Sequence, residues 1–281
     1  MNDSTASSIA ANQHTQRPGK PTVTDHPIDW MQRVDQQFDL LDNLLREKKR
    51  PFFPNHLVSI VIPAFNEEKT ILKVIENVLR LPLNLEVIVI DDCSQDETSR
   101  LLETINGLPC IKVVRNEKNS GKGAALRKGF AMAQGDLIVI QDADLEYNSS
   151  EITALLLPLV TGNADVVYGS RFIAGPPKGS SWLHVAGNRL LTALSNQVNG
   201  LQLTDMETCY KAFARWTIDS IEIRENRFGF EPEITAKLAR IGARFTEMPI
   251  SYSPRHWSEG KKIGVKDLFR TLYCIGRYRW C

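Results

Sequence analysis

The chain has 281 residues, of which 42% are hydrophobic, 24% charged and 8% aromatic, close to the average of soluble globular proteins. Its 34 Lys and Arg residues against 33 Asp and Glu give a net charge of +1, which excludes the global positive field that recruits nucleic acid. No apolar run of about 18 residues occurs and the first 30 residues lack an apolar signal core, so neither a spanning helix nor secretion is expected.

The five cysteines, at positions 93, 110, 209, 274 and 281, include no CxxC pair. This spacing favours reduced thiols over a disulfide framework or a zinc site. The chain is therefore expected to be cytoplasmic.

Two segments are predicted before the main domain. Residues 1–25 are rich in Ser, Thr, Asn, Gln and Pro without apolar periodicity, which predicts a disordered tail. In residues 26–52, apolar side chains such as Trp30, Phe38 and Leu41 recur every three or four residues, which predicts one added amphipathic helix that ends before Pro51.

From residue 55 to residue 250, short β-branched runs alternate with amphipathic helical stretches. This pattern predicts an α/β domain with a mainly parallel central sheet flanked by helices. Helices are expected to begin near Glu67, Asp96, Lys122 and Ser149. The predicted strands are 57–63, 85–92, 111–116, 136–144 and 164–171. In such sheets, ligands bind at the carboxyl ends of the strands.

Polar residues follow the first two predicted strands. The first strand runs into Pro63-Ala64-Phe65-Asn66-Glu67, where a helix cap and a ligand contact are both reasonable interpretations. The second ends in Asp91 and Asp92, and two adjacent carboxylates after an apolar run are poorly explained by packing alone. We therefore expect Asp91 and Asp92 to meet a polar ligand.

Gly121 and Lys122 open the helix that follows the third strand. A glycine and a lysine at a helix start let backbone amides and an ammonium group approach a phosphate. The segment has neither the GxGxxG pattern nor the GK[ST] order, which disfavours a dinucleotide site and a P-loop.

The strongest chemical signal is Asp142-Ala143-Asp144-Leu145-Glu146, directly after a predicted buried strand. Acids at spacing two can converge their oxygens on one cation, and hard oxygen ligands suit Mg²⁺ or Mn²⁺ bound together with a diphosphate. The alternative is a set of exposed loop acids that cap the next helix.

Two further motifs carry charged residues of opposite sign. Arg171, after Gly169-Ser170, could reach the same sheet edge and oppose a phosphate, or form a surface ion pair. Asp205 and Glu207 lie two residues apart in Thr204-Asp205-Met206-Glu207, and either could act as a general base or as a helix cap.

Residues 251–281 contain seven Lys and Arg against two Asp and Glu, a local charge of +5. The stretch ends in a helical pattern flanked by Tyr273, Tyr278 and Trp280. It could lie on an anionic membrane surface, or pack on the core with a solvated basic rim.

Residues 57 to 280 together resemble glycosyltransferase family 2 with the GT-A (nucleotide-diphospho-sugar transferase) fold, and within it the synthases that load mannose or glucose on dolichyl or polyprenyl phosphate. The resemblance rests on several motifs in order: the Pro63–Glu67 and Asp91–Asp92 segments, Asp142-Ala143-Asp144, Gly169-Ser170-Arg171, Gly187-Asn188-Arg189, Thr204–Lys211 and Glu259-Gly260-Lys261-Lys262.

The resemblance implies a role for each motif. A nucleotide sugar would be held by Pro63, Ala64, Phe65, Asn66, Glu67, Asp91, Asp92, Gly121, Lys122, Asp142 and Ala143. The metal would be held by Asp142, Asp144 and Glu146. Donor or acceptor phosphates would be met by Arg171, Arg189, Arg255, Lys261 and Lys262, and the catalytic set would be Asp205, Glu207 and Arg171. Residues 251–281 would complete the acceptor side.

These features predict an inverting, metal-dependent transfer of a hexose from GDP-mannose or UDP-glucose to a polyprenyl phosphate at the cytoplasmic face of a membrane. One alternative keeps the fold but uses a soluble sugar or glycan acceptor. Another is a non-catalytic nucleotide-sugar binding or scaffold protein that uses the N-terminal helix. Two further partners are considered: a membrane surface that the chain contacts peripherally, and a second copy of the chain in a homodimer.

Overall fold

A computed structural model describes residues 27–46, 50–177, 182–254 and 265–280, and it has the predicted α/β architecture. The strands are β1 (Val58–Ala64), β2 (Leu85–Asp91), β3 (Ile111–Arg115), β4 (Leu137–Ile140), β5 (Val166–Ser170), β6 (Lys211–Ala214) and β7 (Phe245–Pro249). The helices are α1 (Pro27–Arg46), α2 (Ile71–Leu79), α3 (Thr98–Ile105), α4 (Lys122–Met132), α5 (Ile152–Val160), α6 (Trp182–Asn199), α7 (Arg215–Asp219), α8 (Phe230–Arg240) and α9 (Val265–Arg277).

The seven strands form one sheet in the order β3-β2-β1-β4-β6-β5-β7. Strand β6 pairs antiparallel with both of its neighbours, whereas the other adjacent strands pair in parallel. The prediction of a mainly parallel sheet is therefore confirmed. Because β6 alone is reversed, the carboxyl ends of the other six strands lie at one edge of the sheet.

Alternate residues of the central strands face two separate cores. Ile60 and Val89 belong to a core formed with α2, α3 and α5, and Leu41 attaches α1 to that side. Val61 and Ile90 belong to a core on the opposite face, formed with α4 and α8. Burial on both faces explains why these strands read as continuous apolar runs rather than as an alternating pattern.

The structure departs from the expected elements at several places. The fourth strand ends at Ile140, so Asp142 and Asp144 lie in the loop beyond it rather than in the strand. Strands β6 and β7 were not predicted, because β6 has only four residues and β7 carries Thr246, Glu247 and a terminal proline instead of an apolar run. A 3-10 turn over Ser149–Glu151 precedes α5.

The terminal helices add to the α/β domain. Helix α9 packs on α8 and α6, through Cys274 and Tyr278 on one side and Ile275 on the other.

No helix of the described part combines the length and apolarity needed to cross a bilayer. The predicted tail, residues 1–25, lies outside the described residues, as does 255–264 within the predicted C-terminal segment. The four cysteines that the structure describes are free thiols.

Candidate active site

The carboxyl edge of the sheet gathers four of the predicted motifs. The segments after β1, β2, β4 and β5 carry Asn66, Asp92, Asp142 and Arg171, respectively. Since β1 lies between β2 and β4, their loops are neighbours at this edge. The parallel topology therefore brings residues from distant parts of the chain to one site.

The loops after β1 and β2 are joined by side chains of the predicted nucleotide segment. Asn66 Oδ1 accepts a hydrogen bond of 2.8 Å from the Gln95 amide, and the Asn66 amide donates to Ser94 Oγ. The carboxylate of Asp91 accepts from the Ser94 amide and the Ser99 hydroxyl. Asn66 and Cys93 have positive φ, a conformation that non-glycine residues adopt only when surrounding contacts hold them. Asn66 and Asp91 therefore fix the shape of these loops.

Asp92 and Gly121 shape the start of α4. The carboxylate of Asp92 accepts from the Gly121 amide at 2.6 Å, from the Ser120 amide and from Asn116 Nδ2. Gly121 has φ +96°, and a Cβ there would lie 2.4 Å from the carbonyl oxygen of Asn226. Only glycine fits this close approach, which places the loop before α8 against the first turn of α4.

Lys122, the first residue of α4, forms an ion pair with Asp142 beyond β4. Its Nζ lies 2.6 Å from Asp142 Oδ1, and both side chains are largely withdrawn from solvent. Burial lowers the pKa of Lys122, but the interactions with Asp142, Cys209 and Glu231 together outweigh it, so that the pKa is raised overall. Burial also raises the pKa of the neighbouring Cys209 thiol to about 12, which keeps that thiol neutral.

The predicted metal ligands do not form a complete protein site. Asp144 Oδ1 accepts from the Glu146 amide, and Glu146 Oε2 accepts from the Tyr252 hydroxyl at 2.7 Å. In the part of the chain that the structure describes, no three His, Cys, Asp or Glu side chains are grouped to hold a metal ion. The carboxylates of Asp142 and Asp144 fit Mg²⁺ or Mn²⁺ when diphosphate and water oxygens supply the other ligands. Asp142 already contacts one cation, the ammonium group of Lys122.

A second ion pair lies at the end of β5. Asp205 is fully buried, and its two oxygens accept from Arg171 Nε at 2.7 Å and Arg171 Nη2 at 2.8 Å. Asn188 of α6 adds a longer contact of 3.3 Å. Burial lowers the pKa of Arg171, but Tyr147 and Asp205 outweigh this and raise it, so the guanidinium stays charged. Asp205 thus holds Arg171 in place.

Three further titratable groups lie near these two ion pairs: Glu207, Lys211 and Glu231. The ammonium of Lys211, a fully buried residue, donates to the backbone carbonyls of Met206 and Thr208. Sequence reasoning missed Lys211 and Glu231 as site residues. The signal for Glu231 was its position in the first turn of a predictable helix, two residues after Gly229. Nothing in the local sequence indicates that the start of α8 contacts α4.

The remaining predicted residues fall into three groups. Arg189 is exposed on α6, with its guanidinium carbon 5.9 Å from the centre of the Phe172 ring. Pro63 and Ala64 belong to β1, Phe65 and Glu67 are partly buried in the next loop, and Ala143 is buried between the two aspartates. Arg255, Lys261 and Lys262 lie outside the described residues.

Comparison with known proteins gives a family and a group of relatives. The model of the family "Glycosyl transferase family 2" matches residues 59–219. An undecaprenyl-phosphate 4-deoxy-4-formamido-L-arabinose transferase of Aeromonas hydrophila is 30% identical over 224 residues, covering 77% of this chain and 66% of that protein. A dolichol-phosphate mannosyltransferase of Pyrococcus furiosus is 28% identical over 229 residues, covering 78% of this chain and 63% of that protein. The chain spans just under two thirds of the length of these curated relatives.

The fold is similar to that of solved glycosyl-transferring enzymes. Glucosyl-3-phosphoglycerate synthase from Mycobacterium tuberculosis, solved in complex with Mn²⁺, UDP and phosphoglyceric acid, aligns with a TM-score of 0.61 and 22% identity. The alignment covers 85% of this chain and 82% of that one. This likeness confirms the predicted GT-A fold.

Proposed function

Because the chain belongs to glycosyl transferase family 2, we propose that it transfers a hexose from a nucleotide sugar to a polyprenyl phosphate, with inversion at the anomeric carbon. The observation that carries the proposal is the pair of ion pairs at one sheet edge, Lys122 with Asp142 and Arg171 with Asp205. Each presents a cation that can meet a phosphate, as a reaction between a diphosphate donor and a phosphate acceptor requires. The names of the relatives, which transfer sugars to undecaprenyl and dolichol phosphates, support this acceptor class.

The donor half of the site would be formed by the loops after β1, β2 and β4. Asn66 and Asp92 hold these loops rigid, and the amino end of α4 provides amides and Lys122 for the diphosphate. Asp142 and Asp144 would hold Mg²⁺ or Mn²⁺. When bound, this cation would neutralise the charge that develops on the leaving diphosphate. Glu146 remains a predicted third ligand, although its carboxylate contacts Tyr252.

The acceptor half would be formed around Arg171, with Arg189 nearby on α6. A phosphate oxygen would attack the anomeric carbon from the side opposite the diphosphate, and the bonding pair would leave with the nucleoside diphosphate. Since a phosphate monoester is already ionised near neutral pH, no general base is needed. Asp205, whose oxygens are taken up by Arg171, would orient that arginine toward the acceptor rather than abstract a proton.

A thermal-shift panel tests the donor half directly. GDP-mannose, UDP-glucose, UDP-GlcNAc and NAD are each added with and without Mn²⁺, since a ligand that binds only the folded protein raises its melting temperature. The solved Mn²⁺ and UDP complex of the structurally similar synthase makes this combination the first to try. We expect a Mn²⁺-dependent rise with one nucleotide sugar and none with NAD. No rise with any nucleotide sugar would contradict the proposal and favour a scaffold protein.

Contact with a membrane is part of the proposal, because a polyprenyl phosphate is embedded in one. Helix α9 and the residues after it expose Phe269 to 67% and Trp280 to 83%, and α6 exposes Trp182 to 75%. Arg270, Arg277 and Arg279 lie in the same stretch of chain as Phe269 and Trp280. Aromatic groups among basic ones suit an anionic lipid surface.

Vesicle flotation tests this contact. We expect the protein to float with vesicles rich in phosphatidylglycerol and to do so several-fold less when Phe269 and Trp280 are both replaced by Ser, since the apolar anchors are lost while the charge is kept. Trp216→Ser, which removes an exposed tryptophan of α7, is the matched control and should float like the parent protein. Equal flotation of the double variant would contradict the assignment of this surface, and no flotation of the parent protein would favour a soluble acceptor.

A further inference from the structure

Two carboxyl groups at the candidate active site each have one buried oxygen without a hydrogen-bond partner. These atoms are Oε1 of Glu207 and Oε2 of Glu231. Glu231 lies in the first turn of α8 and is only 3% exposed. A buried acceptor that lacks a partner is destabilising, and such groups call for an explanation, of which a ligand is one.

Contacts around Lys211 bring the two acids to the same place. Lys211 donates to the carbonyls of Met206 and Thr208, which flank Glu207 in the chain. Its Nζ also lies 4.3 Å from the centre of the Tyr168 ring. The Tyr168 hydroxyl is 2.8 Å from Thr235 Oγ1, and Thr235 donates to the backbone carbonyl of Glu231. Lys211 and Tyr168 therefore connect the segment of Glu207 to the first turn of α8.

The electrostatic interactions of each acid show which ion pair it lies near. Glu231 interacts with Lys122 and Asp142, whereas Glu207 interacts with Arg171 and Asp205. The two acids also interact with each other: burial first, and then the charge of Glu231, raises the pKa of Glu207 to about 8. Glu231 therefore lies near the Lys122–Asp142 pair, and Glu207 lies near the Arg171–Asp205 pair.

We propose that Glu231 and Glu207 accept hydrogen bonds from hydroxyl groups of the hexose that is transferred. This inference rests on the proposed function, since it assumes a diphosphate at Lys122 and an acceptor phosphate at Arg171. The hexose must then lie between the two, where the unpartnered oxygens are. Its hydroxyl groups are neutral donors, so they satisfy these oxygens without adding another charge to a buried pair.

A ratio of two affinities tests the proposal. Dissociation constants are measured by calorimetry with Mn²⁺ present, for whichever of UDP-glucose or GDP-mannose binds and for the matching nucleoside diphosphate. In Glu231→Met, which keeps the side-chain length but removes both oxygens, we expect affinity for the nucleotide sugar to fall at least 10-fold and affinity for the nucleoside diphosphate to stay within twofold. Glu231→Gln keeps one acceptor oxygen and should lose less.

Thermal stability without ligand is measured alongside, so that a loss of stability can be told apart from a loss of sugar contacts. Because Glu231 also interacts with the buried ammonium groups of Lys122 and Lys211, Glu231→Met should lower the melting temperature. Glu233→Gln is the matched control, because Glu233 is buried in the same helix but accepts from the amides of Arg224 and Glu225 and pairs with Lys237. It should lower the melting temperature without changing the ratio.

Each outcome is decisive. A Glu231→Met protein that folds and keeps the parent ratio overturns the inference and leaves the proposed function standing. A parent protein that binds no nucleotide sugar overturns both. If Glu231→Met does not fold, the role is structural at that position, and Glu207→Met must then show the change in ratio for the inference to survive.

Discussion

Asp142→Asn is expected to abolish Mn²⁺-dependent binding of the nucleotide sugar and to reduce transfer by about 10³-fold or more. The substitution removes the negative charge of Asp142, which pairs with Lys122. The same charge would bind the metal ion. A metal that stabilises a leaving diphosphate contributes several kcal/mol, and each 1.36 kcal/mol corresponds to a tenfold change in rate. The measurements are the Mn²⁺-dependent thermal shift and the transfer rate.

Asp136→Asn is the matched control for this experiment. Asp136 precedes the same strand, β4, at the opposite edge of the sheet, where its carboxylate accepts from the Leu57 amide at 3.0 Å. It should leave both the Mn²⁺ response and the transfer rate close to those of the parent protein. If Asp142→Asn retained a full Mn²⁺ response, the metal site would have to lie elsewhere.

Asp205→Asn should combine a large loss of stability with a loss of transfer. The amide cannot pair with the Arg171 guanidinium, which leaves a charge uncompensated inside the protein. Breaking a buried ion pair on one side costs about 3–5 kcal/mol, so we expect the free energy of unfolding to fall by that amount. Because the donor would bind at the other ion pair, affinity for the nucleotide sugar should be retained while transfer falls by about 10²-fold, the loss typical of a misplaced catalytic group. Chemical denaturation, calorimetry and a transfer assay measure the three quantities.

The other end of β5 offers a matched control for this ion pair. Asp165 pairs with Arg244 through the same two-point contact, with distances of 2.9 and 2.8 Å, but Arg244 is largely exposed. Since solvent screens such pairs, Asp165→Asn should lower stability by only about 1 kcal/mol and leave transfer unchanged. Unchanged turnover in Asp205→Asn would remove this residue from the acceptor half of the site.

The strand pattern and the positions of the polar motifs were predictable from local sequence. Runs such as Leu85–Asp91 are buried on both faces, so four β-branched residues follow one another, from Val87 to Ile90, and are visible without a partner strand. Asp91, Asp142 and Arg171 stand out for the same reason, because charged groups at the end of a buried strand are not explained by packing. Together with the ordered motifs, these signals were sufficient for the α/β class and the GT-A fold.

Only the tertiary structure decided which of these groups meet. The reversed insertion of β6 between β4 and β5 brings Lys211 and Glu207 beside the loop of Asp142, and no periodicity in a four-residue strand indicates it. Because the backbone of Asn226 packs against Gly121, the start of α8 lies at the first turn of α4. Glu231 belongs to this start of α8. Ion pairs and buried acids depend on distances between chain segments that are far apart in sequence. Those distances follow from crossovers and packing, whereas the sequence by itself determined five of the seven strands and the polar groups at their carboxyl ends.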